Sequence, residues 1–404
     1  MDKIPAAGLF NISDVMLDFS EKNILAKLCN NTLPDVYPYQ MQMDITRYCG
    51  NWSAKEKRLK DCAMCCCPYK SSDFTPLHDL ISLLSEFEKH GGRSFFVTGG
   101  GEPGEYPEWK ELLAFFSDSS LELTLNTNGA FIKIMKEAEP EVLCRCFSKN
   151  KNTTAISISV HDETAYQAIR WLYKLREKLN LNLFIRTSYL VHPDTTENEI
   201  HNFINMCKSS GADLITIKPL YRVVNGTRKY INNNNVFDMV NNEALIKQAG
   251  ISIQNIPKFA RLSNEFANNY EKYQAEMKKT LCFSPLISLF LNTDRDWGMC
   301  CDTKEAKMGG IQSEIFGNGM FSLYSYYKMA LRGIVKLDTS RCIIGCPTME
   351  INNMIAETEK YKAFITLLLT IRKKYLDNAI SDTEIECEIN KILEIKKGLS
   401  VTER

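Results

Sequence analysis

The sequence has no excess of charge of either sign. Lys plus Arg and Asp plus Glu each number 49 among 404 residues, so the formal net charge is zero. A zero balance argues against a broad electrostatic surface for nucleic acid or for a membrane. We therefore expect neither of these as a partner.

The sequence also has no long apolar run. The most apolar late segment, 364–371, is too short to span a bilayer. The first 14 residues do not have the apolar core of a signal peptide. We therefore expect a cytoplasmic protein, in which thiols stay reduced and clustered cysteines indicate metal binding rather than disulfides.

Cysteine, in contrast, is abundant and clustered. Five of the 15 cysteines fall within 49–67, and five more fall within 282–346. Thiolates are soft ligands that suit zinc or iron–sulfur clusters. The five scattered cysteines are most simply explained as small buried apolar residues: Cys29, Cys144, Cys146, Cys207 and Cys387.

Strand and helix patterns alternate from residue 41 to residue 220. Period-two alternation and β-forming residues predict six strands, at 41–48, 94–99, 121–127, 154–160, 182–191 and 213–220. Helical patterns lie between them at 77–90, 107–117, 131–147, 163–179 and 196–210. This alternation predicts an α/β fold, a partial (β/α)6 TIM-like barrel, with its functional site at the carboxyl ends of the strands.

The organisation predicts four parts of the chain: a lead-in at 1–40, the barrel at 41–222, a linker and small cysteine-rich domain at 223–350, and C-terminal helices at 351–404. The cysteine-rich part contains a predicted hairpin with its turn at 292–296. Residues 381–384 have the pattern of a helix cap.

Two motifs follow the first two strands. Cys49, Cys62 and Cys65 are spaced CX12CX2C after the first strand, and the segment 99–103 reads GGGEP at the end of the second. In this arrangement the sequence resembles the radical S-adenosylmethionine (SAM) enzymes. Their usual CX3CX2C spacing is absent because 12 residues separate the first two cysteines. Cys66 or Cys67 remains an alternative to Cys65.

The resemblance implies a [4Fe–4S] cluster held by those three cysteines, with one iron left open for SAM. It also implies that Gly100, Gly101 and Glu102 meet the SAM amino group. Glycine permits close approach of the backbone, and a carboxylate accepts from an ammonium. Positions on later strands are implied to contact the SAM ribose and carboxylate: Asn126, Ser159 and Arg186.

The later cysteines resemble the twitch or SPASM auxiliary-cluster domains of the same superfamily. One further [4Fe–4S] cluster is then implied, with four ligands: Cys282, Cys300, Cys342 and Cys346. Cys301 is an alternative to Cys300. Structural zinc is the competing interpretation for both cysteine sets.

The function implied is that of an oxidoreductase or modifying enzyme that cleaves SAM reductively to a 5′-deoxyadenosyl radical. The substrate class that we favour is a ribosomal peptide, and the alternative is a small metabolite such as a sugar or an alcohol. The second alternative is a non-catalytic metal-binding or electron-transfer protein. The basic insertion between Cys49 and Cys62 suits an electron donor such as flavodoxin or ferredoxin. No catalytic side chain is identified.

Overall fold

The structure, a computed structural model, describes residues 21–50, 71–98, 100–148, 154–160, 162–192, 194–219, 280–293, 296–300, 323–337, 339 and 348–393, with short backbone strands at 52–53, 58–59, 221–224, 227–230, 252–255 and 307–310.

One ten-stranded sheet organises the described chain. Its strands are β1 Gln40–Met43, β2 Ser94–Val97, β3 Glu122–Thr127, β4 Thr154–Ser159, β5 Leu183–Val191, β6 Leu214–Pro219, β7 Ser252–Asn255, β8 Ser288–Leu291, β9 Asp296–Gly298 and β10 Lys307–Gly310. Their spatial order is β7-β6-β5-β4-β3-β2-β1-β8-β9-β10. Neighbours from β7 through β8 are parallel, and β9 and β10 are antiparallel additions. The predicted open, mostly parallel α/β sheet is therefore confirmed, and β7 and β8 extend it beyond the six predicted strands.

Helices connect the parallel strands and continue into the C-terminal tail. In chain order they are α1 Ile24–Cys29, α2 Leu77–Lys89, α3 Trp109–Asp118, α4 Phe131–Glu137, α5 Pro140–Cys146, α6 Glu163–Leu179, α7 Glu197–Ser210, α8 Ser284–Ile287, α9 Leu323–Lys336, α10 Thr348–Glu357, α11 Lys362–Leu376 and α12 Asp382–Leu393. The predicted cap is present, because Ser381 Oγ accepts from the Glu384 N–H and Glu384 accepts from Ser381. No helix among the described residues is long and apolar enough to cross a membrane.

The two faces of the sheet differ in chemistry. One face is apolar and forms a single core with the helices; its sheet residues include Met41, Phe95, Leu123, Ile156, Ile185 and Ile215. The strand register places the alternate residues on the opposite, inner face. Most of these are polar and buried: Gln40, Gln42, Ser94, Thr124, Ser157, Arg186, Thr216 and Ser288. Buried polar groups are costly unless they are hydrogen-bonded. This face is therefore mostly a polar interior, with one small apolar cluster of Ala155, Phe184 and Leu214.

Hydrogen bonds between side chains satisfy part of this interior. Gln42 Nε2 donates to Gln40 Oε1 and to Ser288 Oγ, both over 3.1 Å. Gln40 Nε2 donates to Ser94 Oγ over 3.3 Å. The bonds join β1 to its two neighbours, β2 and β8, at the amino-terminal half of the strands. The carboxyl half of the inner face is where the remaining polar side chains gather.

Two predicted boundaries were wrong. The first strand ends at Met43 rather than at residue 48, because 45–47 pair with 73–75 instead of with the sheet. The single helix predicted at 131–147 is two helices, α4 and α5. Ala138 and Glu139 have extended backbone. Pro140 disfavours helical backbone at Glu139, the residue before it, and is itself the first residue of the second helix.

Candidate metal and cofactor site

Cys49 lies at the carboxyl edge of the sheet, in the segment that follows β1. That segment is fixed by an antiparallel bridge between Thr46 and Phe74 and by the Thr75 N–H, which donates to Ile45 O over 2.8 Å. Cys49 itself is half-buried. The structure therefore places Cys49 after the first strand, and that it binds a metal stays a prediction.

The Gly100–Glu102 turn lies directly against the same segment. The Gly101 N–H donates to Thr46 O over 2.6 Å, and the Glu102 N–H donates to Tyr48 O over 2.8 Å. Two separate motifs of the sequence are thus hydrogen-bonded to each other immediately before Cys49. A group bound at Cys49 would therefore lie near the glycine turn.

Side chains are excluded from this contact. A Cβ on Gly101 would lie 2.0 Å from Tyr48 O, and one on Gly100 would lie 2.9 Å from the Asp44 side chain. Real Cβ atoms do not approach other atoms so closely. Glycine is therefore required here for the close approach of two backbone segments.

Glu102 ties the glycine turn to the end of β3. The side chain is only 4% exposed. Its Oε1 accepts from the Gly104 N–H over 2.9 Å and from the Thr127 hydroxyl, and its Oε2 accepts from the Asn128 N–H over 2.7 Å. A carboxylate offers about four acceptor positions, so three of them are used by these described donors.

Burial raises the pKa of Glu102, because desolvation penalises the ionised carboxylate. The hydrogen bonds from Thr127, Asn128 and Gly104 oppose this shift, but burial is the larger effect. A cation placed beside this carboxyl would favour its ionised form. The site is therefore suited chemically to an ammonium group.

Asp44 is a candidate site residue that sequence reasoning missed. It follows β1 on the inner face, is 4% exposed, and its Oδ1 accepts from the Thr98 hydroxyl over 2.5 Å. Its carbonyl accepts from the Thr293 hydroxyl over 2.8 Å, which joins β1 to the end of β8. The available signal was period two, since Gln40, Gln42 and Asp44 alternate with Met41, Met43 and Ile45.

The predicted polar residues on the later strands form rows across the sheet. Asn126 is in register with Ser157, and Ser157 with Arg186. One step nearer the carboxyl edge, Ser159 is in register with Ser188. The sheet thus places Asn126, Ser159 and Arg186 on the same inner face, as period two predicts. That they contact SAM stays a prediction.

Arg186 is the most buried of these residues, at 1% exposure. Its Nε donates to Thr216 Oγ1 over 2.8 Å. Burial lowers the pKa of Arg186 to about 10, so the guanidinium stays charged at neutral pH. A buried cation on the inner face suits an anionic group such as a carboxylate.

The rest of the first cysteine set lies outside the described residues: Cys62, Cys65, Cys66 and Cys67. Within the insertion, Trp52–Ser53 pairs antiparallel with Arg58–Leu59, and Trp52 is opposite Leu59. Within the described part of the chain, no group of three metal-ligating side chains is assembled. The choice among Cys65, Cys66 and Cys67 therefore stays open.

The second cysteine set is described at two of its four predicted positions. Cys282 is buried and Cys300 is half-buried, whereas Cys301, Cys342 and Cys346 lie outside the described residues. The predicted hairpin is present as β8 and β9. Cys282 precedes β8, which runs parallel to β1. Cys300 follows β9, which runs antiparallel to β8. Both cysteines therefore flank the amino-terminal edge of the sheet, opposite to Cys49.

Comparisons with known proteins give only distant likenesses. No family model matches the sequence, and no curated protein matches it significantly. The solved structure "Native anSMEcpe with bound AdoMet" has a TM-score of 0.44 and 14% identity over 82% of this chain and 84% of that chain. Methylornithine synthase (PylB) has a TM-score of 0.32 and 8% identity over 61% and 82%, respectively. With TM-scores below 0.5 and identities below 25%, these likenesses say nothing about the function of this chain.

Proposed function

We propose that this protein is a radical SAM enzyme that cleaves SAM reductively to a 5′-deoxyadenosyl radical for hydrogen abstraction from a substrate. One observation carries the proposal. The glycine turn that ends β2 is hydrogen-bonded to the segment leading into Cys49, through Thr46 and Tyr48. A soft metal ligand and a buried carboxyl, Glu102, are thereby brought to one edge of a parallel sheet, where such folds place their sites.

Three thiolates would hold the first cluster: Cys49, Cys62 and Cys65. Three ligands leave one iron of a [4Fe–4S] cluster open, whereas a fourth thiolate would fill it and favour simple electron transfer. When bound, the cluster supplies an electron and an open coordination site for SAM.

The long gap between Cys49 and Cys62 is compatible with this ligand set. Cys49 lies three residues before Trp52, and Cys62 lies three residues after Leu59, the residue opposite Trp52. A hairpin returns the chain to the place that it left. The hairpin would then bring Cys62 close to Cys49 in space, as the short CX3C spacing does in sequence.

The protein's own groups would bind and orient SAM. Glu102 has acceptor capacity for the SAM ammonium beyond its three described donors. Gly100 and Gly101 let the Glu102 turn pack against the Cys49 segment, and their backbone is proposed to meet the SAM ammonium beside Glu102. Arg186, with Asn126 and Ser159 on the same face, suits the SAM carboxylate and ribose.

The second cysteine set is proposed to hold one auxiliary [4Fe–4S] cluster through Cys282, Cys300, Cys342 and Cys346. Its four soft donors fit such a cluster and would fit structural zinc equally. Cys282 and Cys300 flank the edge of the sheet opposite to Cys49, which supports a role in electron transfer rather than in SAM binding. Substrate binding by this cluster is the alternative.

For the substrate we favour a peptide, as in ribosomal peptide maturation, over a small metabolite such as a sugar or an alcohol. The polar inner face supports hydrogen-bonded recognition of either. The proposed electron donor is flavodoxin or ferredoxin, docked near the basic insertion with Lys55, Lys57, Arg58 and Lys60.

Anaerobic reconstitution with iron and sulfide tests this function. With dithionite and SAM the protein should form 5′-deoxyadenosine, and Cys49→Ala should abolish it. Cys387→Ala is the matched control, because Cys387 is an exposed cysteine of α12, far from both sets in sequence. Iron uptake without SAM cleavage would favour an electron-transfer protein, and zinc at both sets without iron would favour a structural role.

A further inference from the structure

A buried arginine of the C-terminal tail joins the two segments that carry the second cysteine set. Arg372 lies on α11 and is 4% exposed. Its Nη1 donates to Thr280 O over 2.6 Å, and its Nη2 donates to Thr339 Oγ1 over 3.2 Å. Thr280 is two residues before Cys282, and Thr339 is three residues before Cys342.

The same two segments are also joined without the arginine. The Thr339 hydroxyl donates to Thr280 O over 3.2 Å, so Arg372 and Thr339 share that carbonyl. On the other side of Cys282, the Phe283 N–H donates to Asn352 Oδ1 over 2.9 Å. Asn352 lies on α10, which begins two residues after Cys346.

These contacts bring the chain on both sides of Cys342 and Cys346 against the chain on both sides of Cys282. The described residues on either side of 340–347, the stretch that carries Cys342 and Cys346, are thus fixed beside Cys282. The planar guanidinium is suited to this task, because it bonds two acceptors in a fixed geometry that an ammonium does not reproduce.

We propose that Arg372 is a positioning residue for the second metal centre, so that the C-terminal helices are part of that site rather than an appendage. The proposal rests on the proposed function only in that the second cysteine set binds a metal. Arg372 does not touch the metal; it holds Thr280 and Thr339, and through them the cysteine-bearing segments. It also places a buried positive charge near an anionic, thiolate-rich centre.

The test uses the full chain with all five cysteines of 49–67 changed to Ala as the parent, so that only the second set can bind a cluster. The parent should bind about four irons per chain. Arg372→Met should lose at least half of this iron, and any cluster that remains should have an altered electron paramagnetic resonance spectrum and a more negative reduction potential. Arg372→Lys should keep the positive charge but lose the paired hydrogen bonds to Thr280 and Thr339, and should bind an intermediate amount of iron.

Two further variants separate positioning from general loss of folding. Arg332→Met is the matched control: Arg332 is also in the C-terminal helices, where it pairs with Asp382 and Glu386, away from the cysteine segments. It should leave the iron content and the spectrum unchanged. Thr339→Val removes one hydroxyl with little change of volume, and should shift the spectrum in the direction of Arg372→Met even if the arginine variant unfolds.

The outcomes distinguish this inference from the proposed function. If the parent without the first cysteine set binds neither iron nor zinc, the proposed second metal site is wrong, and this inference is wrong with it. If the parent binds zinc, the iron of the proposed function is wrong, and zinc retention by the same variants decides the role of Arg372. If the parent binds metal, and neither Arg372→Met nor Thr339→Val changes the metal content or the spectrum, the inference alone is overturned.

Discussion

At the scale of single residues, the site requires a position without a side chain, Gly101, as much as it requires the buried carboxyl of Glu102. The contact between the glycine turn and the Cys49 segment leaves no room for a Cβ at Gly101, where Tyr48 O would lie 2.0 Å away. The glycine run was visible in the sequence. Its close approach to another strand was not, because it depends on a contact between segments about fifty residues apart.

The first prediction concerns that contact. Gly101→Ala should destabilise the protein by about 3 kcal/mol or more, at the upper end of overpacking costs, since the clash is with backbone. It should also abolish 5′-deoxyadenosine formation. Chemical denaturation and the anaerobic cleavage assay measure the two effects.

Gly50→Ala is the control in the same loop. Its added Cβ would meet only the end of the flexible Glu105 side chain, at 3.3 Å, so stability and SAM cleavage should change little. Equal damage from both substitutions would contradict the assigned contact.

The second prediction concerns Glu102, whose pKa burial raises. The folded state then holds the proton more tightly than the unfolded state does. Stability should be fully present below the ordinary glutamate pKa of about 4.3 and should decline as pH rises through the raised value. Glu102→Gln should remove that part of the decline in urea unfolding measured across pH.

Glu102→Gln should also weaken SAM binding, because the amide does not supply a charge for the ammonium. Equilibrium dialysis of SAM under anaerobic conditions measures this. Thr127→Val keeps the carboxyl and removes one of its donors, and should therefore retain more of the affinity. Unchanged SAM affinity in Glu102→Gln would contradict the role proposed for this residue.

At the scale of elements, local sequence predicted most of the sheet. The six strands alternate clearly, and α6 was predicted with its observed bounds. Local patterns did not predict β7, which lies in a stretch that breaks the alternation, or the break between α4 and α5. They also could not predict that β8 pairs with β1, because Gln40 and Ser288 are brought together only by the tertiary fold.

The third prediction concerns the insertion after Cys49. If its hairpin serves only to return the chain, replacing residues 50–61 with three residues restores CX3CX2C. That variant should still bind the first cluster and form 5′-deoxyadenosine with dithionite. Loss of iron from the first set would show that the insertion does more than close the loop.

The same variant separates a second role of the insertion. Cleavage driven by flavodoxin should fall more than cleavage driven by dithionite if the basic residues dock the donor. Cleavage reduced equally with both reductants would argue against donor docking. A variant with Lys55, Lys57, Arg58 and Lys60 changed to Gln keeps the loop length and is the control.

At the scale of the whole molecule, the described cysteines of the two sets, Cys49 and Cys282 with Cys300, flank opposite edges of one sheet. Cys49 follows β1, whereas Cys282 precedes β8, which is parallel to it. The sequence predicted both sets and the hairpin, but it did not predict their places relative to each other. The polar inner face between them, with Asp44 and Arg186, was only partly predicted, since the hydrogen-bond partners come from distant strands.

The fourth prediction follows from this separation. Changing Cys282, Cys300 and Cys301 together to Ala leaves two cysteines in the second set. This should lower the iron content from about eight to about four per chain and should leave SAM cleavage with dithionite within about twofold. Turnover of the true substrate should fall further than SAM cleavage does. Loss of all iron in this variant would show that the two sets are not independent.

The proposed chemistry requires that one iron of the first cluster is left for SAM. Pulsed electron paramagnetic resonance tests this on the reduced protein with Cys282, Cys300 and Cys301 changed to Ala, and with SAM labelled with 15N at its amino group. We expect a hyperfine coupling between the cluster and the labelled nitrogen, lost in Cys49→Ala. A reduced cluster whose spectrum does not change with SAM, with one cysteine thiolate on each of its four irons, would overturn the proposal.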